Sequence, residues 1–134
     1  MRRVEWKESY SVGIPLFDEQ HKYLVDLLNE LIDSNNNQVD RKELFAICNK
    51  LIGYAEEHFQ SEEKIMSKYN YPKFKEHQKE HAQLIEDVFV MYQEFCTGGN
   101  TSMFDLIDFL KDWILEHILG SDMEYKPFLT QALN

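Results

Sequence analysis

Apolar residues recur at three- and four-residue steps in four separate stretches of this chain, a pattern that predicts four amphipathic helices. The first spans about 18 to 33, with Leu24, Leu27, Leu28, Leu31 and Ile32 on one face, and the run Asn35-Asn36-Asn37 ends it. The second spans about 40 to 69, with Leu44, Ile47, Cys48, Leu51, Ala55, Ile65 and Met66 in its stripe. Asp40 and Glu43 read as its capping box, and Gly53 inside it costs about 1 kcal/mol relative to alanine. The third spans about 72 to 97, with Pro72 in its first turn, Phe74, Leu84, Val88, Met91 and Phe95 in line, and Gly98-Gly99 as its stop. The fourth begins near Thr101 or Ser102, aligns Phe104, Ile107, Leu110 and Ile114, and runs to about 118 or slightly beyond. No stretch alternates with period two. The expected fold is all-α, an antiparallel up-down four-helix bundle, with the first 17 residues as an N-terminal arm carrying Trp6, Tyr10 and Leu16.

Size and charge narrow this further. The 134 residues make one domain, 1–134, large enough to bury a core without disulfides. Cys48 and Cys96 are therefore expected to be small buried hydrophobes in a reducing compartment. The opening MRRVEW has no apolar segment behind it, and no apolar run approaches the roughly 20 residues of a membrane span, so neither secretion nor membrane insertion is expected and the location reads as cytoplasmic. A formal charge of -10 repels phosphate backbones and excludes nucleic acid as a partner.

The helices then break their own pattern. His21 precedes Leu24 by one turn; His58 and Glu62 share a face, as do His77 and His81; His117 lies in line with Ile114 and Leu110; Asp122 follows five residues later. The chain has five histidines, and each falls on an inward stripe. One such histidine is ordinarily a hydrogen-bonded core residue. Five imidazoles and two carboxylates buried without compensation would cost several kcal/mol, a cost that shared metal removes by engaging their lone pairs. Imidazole with carboxylate suits iron, zinc, copper or manganese, and the lack of cysteine ligands argues against an iron–sulfur or structural zinc site. Seven side chains are too many for one ion. With both carboxylates bridging and one shared oxide or hydroxide, they fill all but one position of two six-coordinate ions. Asp122, five residues from His117, suits a bridge if the helix widens or ends near Gly120.

Two rival patterns fare worse. Ferritin-like di-iron oxidases use Glu-x-x-His pairs, which are absent here. His77-Gln78-Lys79-Glu80-His81 matches the H-x-x-E-H zinc-protease motif, but that reading leaves the other five polar residues unexplained.

The segments Phe17-Asp18-Glu19-Gln20-His21, His58-Phe59 with Ser61-Glu62-Glu63, His77-xxx-His81, and Trp113-xxx-His117-Ile118 with Asp122 and Tyr125 resemble the haemerythrins, most closely the single-domain bacteriohaemerythrins. Trp6 and Val12-Gly13 fit the arm of that family. The resemblance implies a protein that binds dioxygen reversibly, as carrier, store or delivery protein and not as an enzyme. Its cofactor would be two iron ions with a bridging oxide or hydroxide. His77, His81 and His117 would hold one iron, His21 and His58 the other, which keeps the open position, and Glu62 and Asp122 would bridge them. Leu24, Phe59, Trp113 and Ile118 would wall the oxygen pocket, and Gln20 could support a ligand histidine. Within the family the same site also serves oxygen or redox sensing, oxidase or peroxidase chemistry and nitric oxide handling, and a partner oxygenase or signalling protein could read its state. A final HxxxxD, with Ser121 at the position four after His117, matches the oxygen-binding branch.

Overall fold

The computed structural model describes residues 1–99 and 101–134. Helices α1 (Pro15–Asn36), α2 (Arg41–Lys68), α3 (Phe74–Cys96) and α4 (Met103–Leu119) pack in cyclic order, each against its chain neighbours and α1 against α4. Short connections force successive helices to run antiparallel, giving the expected up-down bundle. A fifth helix, α5 (Ser121–Leu133), follows α4 after a break at Gly120. It was not legible as a separate element because its apolar stripe is weak and Pro127 sits inside it.

Helix ends show how local chemistry sets these limits. Pro15 occupies the first turn of α1, so that helix starts earlier than the apolar stripe suggests and absorbs Leu16, which is 51% exposed and no part of a packed arm. Asp40 caps α2 by accepting from the Lys42 amide, without the reciprocal bond from Glu43 that a capping box requires. The capping box occurs instead at Ser102 and Asp105 of α4. Pro72 lies in the turn before α3 and not inside it. α1, α2 and α3 each end with a left-handed residue, Gln38, Asn70 and Gly98, and an amide two residues past the last turn returns to a carbonyl inside the helix (Val39 to Ser34, Tyr71 to Met66, Gly99 to Glu94).

The arm, residues 1–14, is clipped to α1 at two places. Asn29, buried mid-helix, exchanges two 2.7 Å bonds with the backbone of Val4. Asp18 accepts from the Ser11 hydroxyl at 2.6 Å and the Val12 amide at 2.8 Å. Trp6 is half-buried and Tyr10 buried. Cys48 is buried, and burial pushes its thiol up to about 12, whereas Cys96 is exposed at the end of α3, against the expectation that both would be interior.

Two apolar cores result. The larger fills the bundle between Leu24, Leu28, Leu51, Leu110 and Ile118; the smaller joins Val12, Ile14, Phe17, Met66, Tyr125 and Leu129 where the arm, the end of α2 and α5 meet. Among the described residues no helix is long and apolar enough to cross a membrane.

Gly53 is exposed in mid-α2, and a methyl group there would meet nothing within 4 Å. Gly53→Ala is expected to raise the unfolding free energy by about 0.5–1 kcal/mol, read from the midpoint of urea denaturation. A lower midpoint would show that the α2 backbone departs from helix at that position.

Candidate metal centre

All seven polar residues picked out from the helical stripes lie together between the two apolar cores, and all are buried: His21, His58, Glu62 and Asp122 completely, His77, His81 and His117 nearly so. Each comes from the inward face of its helix, His21 from α1, His58 and Glu62 from α2, His77 and His81 from α3, His117 from α4. Asp122 needs the break at Gly120. A continuous helix would rotate the residue five after His117 away from it, but α4 ends at Leu119 and α5 restarts at Ser121, turning Asp122 inward. A side chain at 120 would stand 2.8 Å from the Glu116 carbonyl oxygen, so the break requires glycine.

The two carboxylates divide their oxygens between two sets of histidines. Glu62 Oε2 lies 3.3 Å from His58 Nε2 and 3.6 Å from His21 Nε2, while Asp122 Oδ2 lies 2.7 Å from His21 Nε2 and 3.8 Å from His58 Nε2. On the other side, Glu62 Oε1 lies 3.1 Å from His81 Nε2 and 3.4 Å from His117 Nε2. Asp122 Oδ1 lies 2.9 Å from His117 Nε2 and 3.3 Å from His77 Nε2. Two groups of ligand atoms result, each within 4.8 Å: His77, His81, His117 with both carboxylates, and His21, His58 with both carboxylates. Adjacent donors around an ion held at about 2.1 Å stand about 3 Å apart, so these spacings are those of ligand shells.

Hydrogen bonding alone does not account for the cluster. The Nε2 atoms of His77 and His81 and both oxygens of Asp122 are buried without a hydrogen-bond partner, although they crowd together. His21 Nε2 and His58 Nε2 face each other at 2.9 Å. Gln20 Oε1 stands 2.6 Å from His58 Nδ1, so that nitrogen carries the proton and Nε2 presents a lone pair inward. The donor set fits metal cations, which satisfy all the inward lone pairs together.

Surrounding groups hold the cluster in shape. Gln20 is steadied by its amide donating to Ser61 Oγ at 3.3 Å, and Ser61 donates to the Glu57 carbonyl. The Tyr125 hydroxyl, from α5, donates to Glu62 Oε2 at 2.6 Å. Burial and the charges of Glu62 and Asp122 push that phenol well above its ordinary range, so it stays a donor. Tyr125 was legible only as part of a motif; its role needed the position of α5.

Burial alone would push the imidazoles down, but Asp122 and Glu62 outweigh it and raise His21 and His77 to about 9 and His117 to about 10. Burial alone would raise the Glu62 carboxyl, and burial with the charge of Glu62 would raise that of Asp122. The neighbouring imidazoles reverse both and hold them well below the carboxylate range.

Leu24, Phe59, Trp113 and Ile118 line one small cavity of about 10 Å³ together with Ala55, Ile114 and His117, about the least that holds one water-sized molecule. The histidine in its wall is His117; His21 and His58 do not line it. Trp113 is fixed by its indole donating to the Leu84 carbonyl at 3.0 Å. Glu80, the general base of the rival protease motif, is exposed and accepts from the Ser121 hydroxyl, away from the histidines.

Fold and site together define a metal-binding helical bundle with a histidine-rich centre. Comparison with known proteins agrees: residues 12–129 match the model of the Hemerythrin HHE cation binding domain. The chain is 31% identical to the bacteriohemerythrin of Methylococcus capsulatus, covering 97% of this chain and 99% of that one. It is 32% identical to a hemerythrin-like protein of Naegleria gruberi, covering 92% of both. A crystal structure of wild-type hemerythrin superposes with a TM-score of 0.85 at 30% identity, over 96% of this chain and 99% of that one. The chain belongs to the haemerythrin family.

Raised imidazole pKa values stabilise the metal-free fold fully below the ordinary value of 6.5, and that contribution is lost as pH climbs through 9 to 10. Metal binding runs the other way, because ligand imidazoles must be deprotonated. The melting temperature of the metal-free protein is expected to fall between pH 6.5 and 10 while metal-loaded protein holds or gains. A metal-free melting temperature that is flat or rises over this interval would contradict the protonated cluster.

Proposed function

We propose that this protein binds dioxygen reversibly at a carboxylate-bridged di-iron centre, as a carrier, store or delivery protein, and that it is not an enzyme. His77, His81 and His117 would hold one iron and His21 and His58 the other, with Glu62, Asp122 and an oxide or hydroxide between them. The observation that carries this reading is the division of both carboxylates between two histidine sets. Held by these residues, a di-iron centre would supply the reversible two-electron chemistry that dioxygen capture and release require.

The residues of the chain support capture over turnover. Five neutral imidazole donors against two carboxylates give a shell with little negative charge, less suited to the high-valent iron of carboxylate-rich oxidases. Leu24, Phe59, Trp113 and Ile118 offer a guest beside the centre no proton donor except the indole of Trp113, and that is committed to Leu84. A dry wall withholds the protons and water that would drive a reduced guest away irreversibly. Tyr125 keeps its proton on Glu62, on the smaller-core side and outside the cavity lining. The resemblance to bacteriohaemerythrins over nearly the whole chain supports the same reading.

The direct test is optical absorption of the iron-loaded, reduced protein before and after admitting dioxygen, then after removing it. Charge-transfer bands that appear and fade are expected; a stable diferric spectrum reached with no oxygenated form would overturn reversible binding. Leu24→Ser puts a hydroxyl into the cavity wall and is expected to speed autoxidation roughly several-fold by admitting water. Autoxidation at the wild-type rate would mean that Leu24 does not shield the guest.

A further inference from the structure

The cavity is lined wholly by buried side chains, and one of its walls is thin. On the outer face of the bundle, α2 and α3 enclose a groove of about 420 Å³ lined by Glu56, Phe59, Gln60, Glu63, Ala82 and Ile85, with Gln78 and His81 at its end. Phe59 is the one residue that lines both this groove and the inner cavity. Its ring is only 4% exposed and stacks on His81, centroids 4.1 Å apart and planes 12° from parallel. The ring also meets His117 at 4.9 Å and Trp113 at 5.8 Å, both edge-on. One aromatic ring thus separates a solvent-filled groove from the apolar chamber beside the metal centre.

We infer that the α2–α3 groove is the way in for a small neutral guest and that the Phe59 ring is its gate. This rests on the dioxygen reading for the identity of the guest, though not for the path. The ring is stacked and edge-packed, with no hydrogen bond to hold it, and aromatic contacts of this kind are worth only about 0.5–1.5 kcal/mol each. The floor beneath it is the stable part: Trp113 is tied to Leu84, and His81 and His117 belong to the metal cluster. The groove itself, about 420 Å³ with Ala82 as the smallest side chain in its lining, offers space to receive the rotated ring. The rim bears Glu56 and Glu63 with no lysine or arginine, so the mouth also disfavours anions and leaves neutral diatomics the easier passage.

A gate is crossed on both arrival and departure, so obstructing it slows both rates by the same factor and leaves the equilibrium unchanged. Ala82→Trp is the test variant because residue 82 is exposed and lies outside the core, so the change roofs the groove without disturbing the fold. In stopped-flow measurements on iron-loaded, reduced protein, Ala82→Trp is expected to lower the dioxygen association and dissociation rates together by about fivefold, with Kd unchanged. Val90→Trp, on the α3–α4 side, should change neither. The same variants loaded with zinc are tested by xenon exchange in 129Xe NMR, which needs no oxygen chemistry. Slower exchange in Ala82→Trp alone supports the path even if dioxygen binding proves irreversible, an outcome that would sink the functional reading only. Wild-type dioxygen and xenon rates in Ala82→Trp would overturn the gate and leave the functional reading standing.

Discussion

Two carboxylates buried at the centre of five imidazoles impose the constraint on which the rest of the molecule depends. Neither Glu62 nor Asp122 could stay ionised in an apolar interior alone, since removing a charge from water costs several kcal/mol even after relaxation. They are tolerated because positive charge is always close: protons shared among His21, His77 and His117 in the metal-free chain, and metal cations when loaded. The four bundle helices and α5 each contribute at least one member of the cluster, so the packing of every helix is tied to the same electrostatic compensation. The two apolar cores on either side supply the low-dielectric walls that make this compensation strong.

Much of this was legible in the chain before any coordinates. Helical periodicity gives α1 to α4, and polar residues in apolar stripes give all seven members of the cluster, because a buried histidine or carboxylate is conspicuous where leucine is the rule. What escaped has identifiable causes. The stripe shows where a helix is buried, not where its backbone begins, so Pro15 and the turn at Pro72 shift the starts of α1 and α3. α5 buries only Asp122, Tyr125 and Leu129, too few for a clear period. Cys96 looked interior by residue type alone, but it is exposed at the last residue of α3, two residues before the left-handed turn at Gly98.

The supporting residues illustrate a different limit. Gln20 stands beside His21 in sequence but serves His58, across the α1–α2 interface. Tyr125 sits in α5 and serves Glu62 in α2. Such partnerships join residues 38 and 63 positions apart, and only the packed bundle brings them together. The aromatic lining is similar. Phe59 follows His58 in sequence, yet its contact with His81 and its place between groove and cavity depend on how α2 and α3 face each other.

The break at Gly120 has a mechanical side. Because α5 is a separate short rod joined to α4 through a single residue, Asp122 and the hydroxyl of Tyr125 are placed as one unit, while the other six polar residues of the cluster sit on the long helices. The segment behaves as a clasp. When it is docked, one carboxylate closes the cluster and one phenol latches the other carboxylate, with Leu129 pressed against the arm as the catch. The five imidazoles and Glu62 are carried by the long helices alone, so the side that Asp122 closes is the one part of the cage that depends on α5. Closure of the cage therefore depends on the seating of a 13-residue segment, while the four long helices carry the rest of it.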